Sequence, residues 1–530
     1  MLEMTDAKKG RLTMLYPIGV QSFDTIRERE YVYVDKTDLV YQLAQQHVCF
    51  LSRPRRFGKS LLVSTLDAYF SGKKELFTGL TIEQLEKEWM KYPVFRIDFA
   101  GANFNNSDEL NNKLEKYLGS WEKIYGKEEY NKTLSDRFQY VIEEAHKQTG
   151  QKVVVLVDEY DKPLLDILGD DLEEKHRNIL KGFYGTFKSA DEHLRFVFLT
   201  GVTKFSQISV FSGFNQPKDI SMDSRFDAIC GITEEELYQY FAIAIEEMAI
   251  KYRCSIEKMK SLLKKRYDGY HFSEEMLDIY NPFSIINVFD AKKMADYWYR
   301  SGTPTYLLKL LEGHQVNIQK LVSQSYNVTK FIDYRAEVEN PLAMLYQSGY
   351  LTIKGYDEIY EEYFLDFPND EVKNGFMTLI ANSYLENAEE APDNWVKQLD
   401  RMLKRGNLDG VRDAFTSFLA SIPYEANKDE RAKDFETHFS YTFYIINRLL
   451  GCYTTLIEKQ NSKGRADIII ETDTDIFIFE FKLDKSAKEA LAQIDEMQYA
   501  LPYLNDSRTL HKIGVNISSK TRTVEEWLVG

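Results

Sequence analysis

Cysteine is scarce in this chain. Its four cysteines in 530 residues, Cys49, Cys230, Cys254 and Cys452, are scattered without a C-x-x-C pair. A disulfide framework and a thiolate zinc site are therefore excluded, and the cysteines read as packing residues of a reducing compartment. No stretch approaches the ~18 apolar residues of a membrane span. The first ten residues are polar and hold no signal-peptide core. These absences point to a cytoplasmic protein with no membrane partner. Positive charge is also short: 67 Lys and Arg stand against 83 Asp and Glu, a net of −16. That excludes a general nucleic-acid coat. No internal repeat, low-complexity tract or obvious flexible linker interrupts the chain, so packed domains are expected.

What is present is a large folding chain. Apolar residues make up 44% and aromatic residues 14%, with 35 Tyr and 33 Phe, which rules out a disordered polymer. The length suits roughly two to five domains. The acidity is uneven. Residues 401–530 hold 18 Lys and Arg against 20 Asp and Glu, so they carry only −2 of the −16. The C-terminal end is the part least hostile to a polyanion.

Near the front, a short apolar run at 48–51 leads into Ser52-Arg53-Pro54-Arg55-Arg56-Phe57-Gly58-Lys59-Ser60 and then a helical pattern from Leu61. Strand, loop, Gly-Lys-Ser and helix is the order a phosphate-binding loop requires. Backbone N–H groups at the helix start, with the lysine, hold phosphates, and the serine hydroxyl reaches Mg²⁺. The general pattern has Gly where this chain has Arg53, and Gly-Lys-Ser alone is often an ordinary helix start. The run Val153-Val154-Val155-Leu156-Val157-Asp158-Glu159 strengthens the reading, because an unbroken apolar run is how a parallel strand covered on both faces reads. It ends in two acids, one to order Mg²⁺ and one to polarise the attacking water. A further strand at 196–199 ends at Thr200, a polar residue placed to sense the γ-phosphate.

Near the end, Gly464-Arg465-Ala466-Asp467 opens one apolar run and Glu480-Phe481-Lys482 closes another. Both read as strands. Glu480 and Lys482, two apart, project to one face. Paired as a hairpin, the strands would let Asp467 join them. Two carboxylates and an ammonium at a strand end suit a divalent metal and the water it activates, which is the chemistry of phosphodiester hydrolysis. The plainer alternative is a solvated strand end with an exposed cross-strand pair.

Between these sites the pattern alternates strands and helices up to about residue 230, which indicates an α/β sheet. It includes an extended piece at 31–36, a helix capped by Thr37, a strand at 94–99, a charged helical insertion at 108–149 and a helix at 172–190. From Thr233, with Glu236 three residues later as a capping box, helices dominate. Residues 311–375 are mixed, with a hairpin expected from 349–353 and 362–367. Residues 376–425 are helical, and a final unit begins near 430 with a helix carrying Glu436 and His438.

Taken together, Tyr33-Val34-Asp35-Lys36-Thr37, the loop from Arg53 to Leu61, Asp158-Glu159-Tyr160-Asp161, Thr200-Gly201-Val202 and Tyr280-Asn281-Pro282-Phe283-Ser284 resemble the AAA-ATPase-like family. Within that family Arg53 is the usual residue. Lys463-Gly464-Arg465-Ala466-Asp467, Glu480-Phe481-Lys482, Ala490 to Ile494 and Gly514-Val515-Asn516 resemble the PD-(D/E)xK nuclease superfamily. The resemblance implies an α/β protein: an AAA-type P-loop parallel sheet at 1–230, a helical, winged-helix-like lid at 231–310, a mixed connection at 311–425 and a restriction-endonuclease-like domain at 426–530. It further implies that Arg55, Arg56, Phe57, Gly58, Lys59, Ser60, Leu61, Asp158 and Thr200 surround ATP, with Ser60 and Asp158 on Mg²⁺ and Glu159 as catalytic base. At the other end, Asp467 and Glu480 would ligate Mg²⁺ or Mn²⁺ and Lys482 would orient or activate the water. Glu436 would complete the metal site, with Glu458 as its rival, and Gln493 would support it. Nucleic acid, DNA foremost, is the implied partner, and no closed ring is predicted. The rival from another class is a nucleotide-switched binding protein that cuts nothing.

Overall fold

The residues 153–157 are apolar without a break because the strand they form is covered on both faces. Four apolar runs and a short fifth make one parallel sheet: β1 (Val48–Ser52), β2 (Val94–Asp98), β3 (Val153–Asp158), β4 (Leu194–Gly201) and β5 (Lys218–Asp219), in the order β2-β3-β4-β1-β5. Every residue of β3 is buried. Val153, Val155 and Val157 join the core made with the helices Glu109–Tyr125, Leu134–Thr149 and Glu173–Ser189. On β4, Phe196 stacks on Phe70 of the helix Lys59–Phe70, with ring centroids 5.2 Å apart. Because the strands are parallel, Ser52, Asp158 and Gly201 end on the same edge of the sheet, where ligands of such sheets bind.

The computed structural model describes residues 15–106, 108–168, 170–204, 217–301, 321–322, 324–332, 341–384, 392–421, 455–456, 460–461, 464–465, 468–472, 474–518, 520–521 and 523–530. The chain divides into two units, Met1–Val372 and Lys373–Gly530.

Within the first unit, β6 (Ile232–Thr233) and β7 (Ile279–Tyr280) form an antiparallel pair beside three helices, Glu234–Tyr252, Ile256–Tyr267 and Pro282–Ala291. The capping box of Thr233 and Glu236 is present. Leu237, Ile245, Met248, Leu263 and Phe289 form the core here. A second small sheet has the order β8-β10-β9, from β8 (Ser325–Asn327), β9 (Thr352–Asp357) and β10 (Glu362–Asp366). Its first hairpin strand therefore starts at Thr352 rather than Gly349, whose φ of +87° belongs to a turn. The expected cap at Thr37 is corrected: Thr37 is the first residue of the helix Thr37–Ala44. Its N–H and hydroxyl both donate to Asp35 Oδ1, at 2.9 and 2.6 Å, so Asp35 supplies the acceptor a cap would.

The second unit carries the helices Pro392–Leu403 and Leu408–Ser421. Its strands are β11 (Thr455–Leu456), β12 (Gln460–Asn461), β13 (Gly464–Arg465), β14 (Ile468–Glu471), β15 (Asp475–Leu483), β16 (Thr509–Ile517) and β17 (Val524–Val529). Strands β12 and β13 pair with each other, and the rest form a mixed sheet, β11-β14-β15-β16-β17. The expected hairpin is β14 on β15, with Ile468 opposite Phe479. β15 and β16 are parallel, so the chain crosses over between them through the helix Ala487–Glu496. That helix sits against Gly514 of β16: a Cβ there would lie 2.3 Å from the Ala487 carbonyl and 2.9 Å from the Leu491 side chain. Gly514→Ala is expected to destabilise this unit by about 3 kcal/mol, because the close neighbour is backbone and cannot swing aside. Urea unfolding followed by tryptophan fluorescence would measure it, and an unchanged midpoint would show that the helix yields.

Candidate nucleotide and metal sites

The loop between β1 and the helix Lys59–Phe70 bends through two left-handed residues, Arg56 at φ +66° and Gly58 at φ +95°. Gly58 is the helix N-cap, and only glycine adopts that backbone without strain. The bend leaves the N–H groups of Lys59, Ser60 and Leu61 at the positive end of the helix without intrahelical acceptors. Lys59 is buried and curls back beneath the loop, its Nζ donating to the carbonyls of Arg53 (2.9 Å) and Pro54 (3.0 Å). Burial lowers its pKa, opposed by Glu159, Asp158 and Asp161.

The second wall comes from the end of β3. Asp158 is 1% exposed and lies beside the Ser60 side chain. Burial lifts its carboxyl above the ordinary range, with Ser60 and Lys59 pulling it down. Glu159 has φ +52°, an uncommon backbone for a non-glycine residue, and donates its N–H to Asp158 Oδ1 at 3.1 Å. Burial raises its carboxyl too, with Lys59 offsetting. Lysine, hydroxyl and two acids thus converge at one end of the sheet. A positive helix end, a buried ammonium and a Ser–Asp pair fit a nucleoside triphosphate with Mg²⁺.

Other expected residues have different occupations. Thr200 is fully buried, and its hydroxyl donates to the Leu51 carbonyl at 2.9 Å. The Phe57 ring is buried edge-on against Tyr270 and Phe272, at 4.7 and 5.5 Å between centroids, so only its backbone faces the loop's task. Arg55 and Arg56 are exposed, and among the described residues neither is ion-paired. The Arg56 guanidinium lies over the Phe283 ring.

In the second unit, Glu480 is 2% exposed and pairs in register with Gly514. Lys482 Nζ donates to Glu480 Oε1 at 3.0 Å and to Gln493 Oε1 at 2.6 Å. Gln493 comes from the helix that Gly514 lets approach. Asn516, opposite Lys482, is buried and accepts from the Lys485 N–H at 2.9 Å. Asp467, Glu436 and Glu458 lie outside the described residues. Among the described residues no group of three or more His, Cys, Asp or Glu is arranged to hold a metal ion. Glu480 is the described carboxylate that fits a hard divalent cation, with Lys482 beside it.

A family model described as a predicted AAA-ATPase matches residues 17–211, and a PD-(D/E)XK nuclease superfamily model matches residues 434–527. An "Uncharacterized protein in vnfD 5'region" from Azotobacter chroococcum mcd 1 is 34% identical over 520 residues, covering 97% of this chain and 98% of that one. The chain belongs to the AAA-ATPase-like family. It carries a PD-(D/E)XK nuclease-superfamily domain at its C-terminal end.

In this AAA-ATPase-like protein two residues act in ways the motif did not reveal. Arg53 is 1% exposed. It donates to the carbonyls of Ser52 (3.0 Å), Ser221 (2.8 Å) and Phe226 (3.2 Å), and it stacks 3.9 Å over the Phe272 ring. It is a buried strut beneath the loop. Arg53→Gly, which restores the general phosphate-loop pattern, is expected to destabilise the first unit by roughly 3 kcal/mol, because three buried carbonyls lose their donor. Thermal unfolding would read this, and a variant as stable as the wild type would sink it. Asp161 is the second. Its Oδ2 accepts from Val202 N (3.0 Å), Thr203 N (2.7 Å) and Thr203 Oγ1 (2.8 Å), fixing the turn after β4. A Cβ on Gly201 would meet Asp161 Oδ1 at 2.4 Å. The sequence signal was a third acid within four residues, at 158–161.

Proposed function

We propose that this protein binds and hydrolyses ATP, and that its nucleotide state controls a metal-dependent nuclease domain acting on nucleic acid, DNA foremost. The observation that carries the first half is the convergence of Lys59, Ser60 and Asp158, residues 99 positions apart at the extremes, into one cluster at the sheet edge in which Lys59 and Asp158 are buried. The nuclease half rests on the buried Glu480 and its lysine.

Bound Mg²⁺, or Mn²⁺ at the second site, would supply charge neutralisation at phosphate oxygens and a water of lowered pKa. Lys59 would exchange its two loop carbonyls for phosphate oxygens. Ser60 and Asp158 would keep the ion in place beside the helix N–H groups. Glu159, whose carboxyl burial holds above its usual range, would accept the proton of the attacking water. At the other site Asp467 and Glu480 would hold the metal. Lys482, oriented by Gln493, would steer the water toward phosphorus.

The test is incubation of the purified protein with supercoiled plasmid and Mg²⁺ or Mn²⁺, with and without ATP, beside Asp467→Ala. Nicking that needs Asp467 and responds to ATP is the expected result. Absence of metal-dependent cleavage on DNA and RNA alike would leave the nucleotide-switched binder as the better reading.

A further inference from the structure

The loop is held from outside by one tryptophan. Trp298 is 5% exposed, and its indole Nε1 donates to the Arg55 carbonyl at 3.0 Å. An indole N–H is a donor only, so this bond exists only while the Arg55 carbonyl faces it. The Trp298 ring packs edge-on to Tyr350 at 5.1 Å. Its own backbone N–H donates to Glu371 Oε1 at 2.8 Å, and Glu371 Oε2 accepts from Ser284 Oγ at 2.7 Å. Glu371 is 1% exposed and lies in the first turn of the helix Asp370–Tyr384, whose start is fixed by Asn369 accepting from the Val372 N–H at 3.1 Å. That helix runs on past Val372, the last residue of the first unit.

The arrangement ties a peptide of the phosphate-binding loop to the segment by which the chain leaves the unit. Phosphates drawn onto the loop's N–H groups set the orientation of its peptides. Arg55 precedes Arg56, one of the loop's two left-handed residues, where a change of peptide orientation is easiest to accommodate. A turn of the Arg55 carbonyl strips a buried donor of its acceptor. Trp298 must then follow or lose the bond, and Glu371 is bonded to its backbone. A ligand shifts such an element only if the element's two states differ in contacts with it. The Arg55 carbonyl provides that difference.

We propose that Trp298 is a positioning residue of the phosphate-binding loop, and that Glu371 passes the loop's state to the helix Asp370–Tyr384. This rests on the nucleotide reading of the loop and gives its control a physical route. Neither residue touches the reacting atoms.

The test is hydrogen–deuterium exchange of the full chain over residues 370–384, with and without a non-hydrolysable ATP analogue and Mg²⁺. Wild type, Trp298→Phe and Glu371→Gln are compared, and analogue binding is titrated in parallel by fluorescence. Wild-type exchange in 370–384 is expected to change by about fivefold on binding, the low end of ordinary coupling between sites. Trp298→Phe keeps the ring and loses the donor. At an analogue concentration that the titration shows to be saturating, most of its exchange response should be gone. Glu371→Gln keeps one acceptor and should respond partly. The proposal is overturned if bound analogue leaves wild-type exchange unchanged, or if Trp298→Phe responds in full. Should Trp298→Phe fold poorly, the wild-type and Glu371→Gln arms decide. A wild type that binds no analogue defeats the nucleotide reading itself, and the titration distinguishes that failure from a failed relay.

Discussion

Lys59→Ala is expected to abolish nucleotide binding. The ammonium is buried among Glu159, Asp158 and Asp161, and its hydrogen bonds go to two loop carbonyls. Those carbonyls are exchangeable acceptors, so the side chain is already stationed where phosphate oxygens would arrive. Charge-assisted hydrogen bonds contribute about 1.5–3 kcal/mol each. Loss of two such bonds weakens binding by roughly a thousandfold, at about 1.4 kcal/mol per factor of ten. A fluorescent ATP analogue titrated against wild type and variant would measure this, with circular dichroism confirming that the variant folds. Affinity within about fivefold of wild type would remove the loop from consideration as a phosphate site.

Glu480→Gln is expected to eliminate metal-dependent cleavage while leaving the fold intact. The substitution keeps the side chain's size, and an amide oxygen still accepts from Lys482. What disappears is the negative charge, which a hard cation needs from its oxygen ligands. Because Glu480 is almost wholly buried, water cannot replace the lost charge cheaply. A drop of about a thousandfold in plasmid nicking follows if the metal activates the water. Mn²⁺ titration by calorimetry should show the matching loss of binding. Wild-type nicking by Glu480→Gln would place the chemistry elsewhere. Lys59→Ala and Glu480→Gln together also separate the two activities, since the first should leave metal binding in the second unit untouched.

Much of this site was legible because its residues declare themselves locally. An unbroken apolar run ending in two acids can be little other than a covered parallel strand delivering carboxylates to a sheet edge, and 153–159 does that. Gly58 was legible for the same reason, because a helix start with φ +95° admits glycine almost alone. Arg53 was not. Two of its three carbonyl acceptors, Ser221 and Phe226, lie 168 and 173 residues away, and its stacking partner is Phe272. No window of sequence contains that environment. Thr200 shows the converse. Its place at a strand end matches a γ-phosphate sensor, but the register that sets it beside Leu51 turns its hydroxyl onto a neighbouring carbonyl. Thr37 carried the composition of a helix cap, yet Asp35 two residues earlier already offered the acceptor. Local chemistry was readable where an element's own pattern sets it; it failed at Arg53 and Thr200, whose partners the fold brings from far along the chain, and at Thr37, where a competing acceptor stood two residues away.

The aromatic seat of Phe57 has a practical consequence for anyone dissecting this protein. Its ring rests on Tyr270 and Phe272, and Pro54 presses so closely on Gly349 that a Cβ there would lie 2.6 Å from it. A recombinant fragment stopping at 211, where the match to the predicted AAA-ATPase family model ends, would strip both supports and leave a phenylalanine and a guanidinium facing solvent. Such a truncation should be expressed with difficulty and bind nucleotide poorly for reasons unrelated to its chemistry. The unit that holds these contacts runs to Val372.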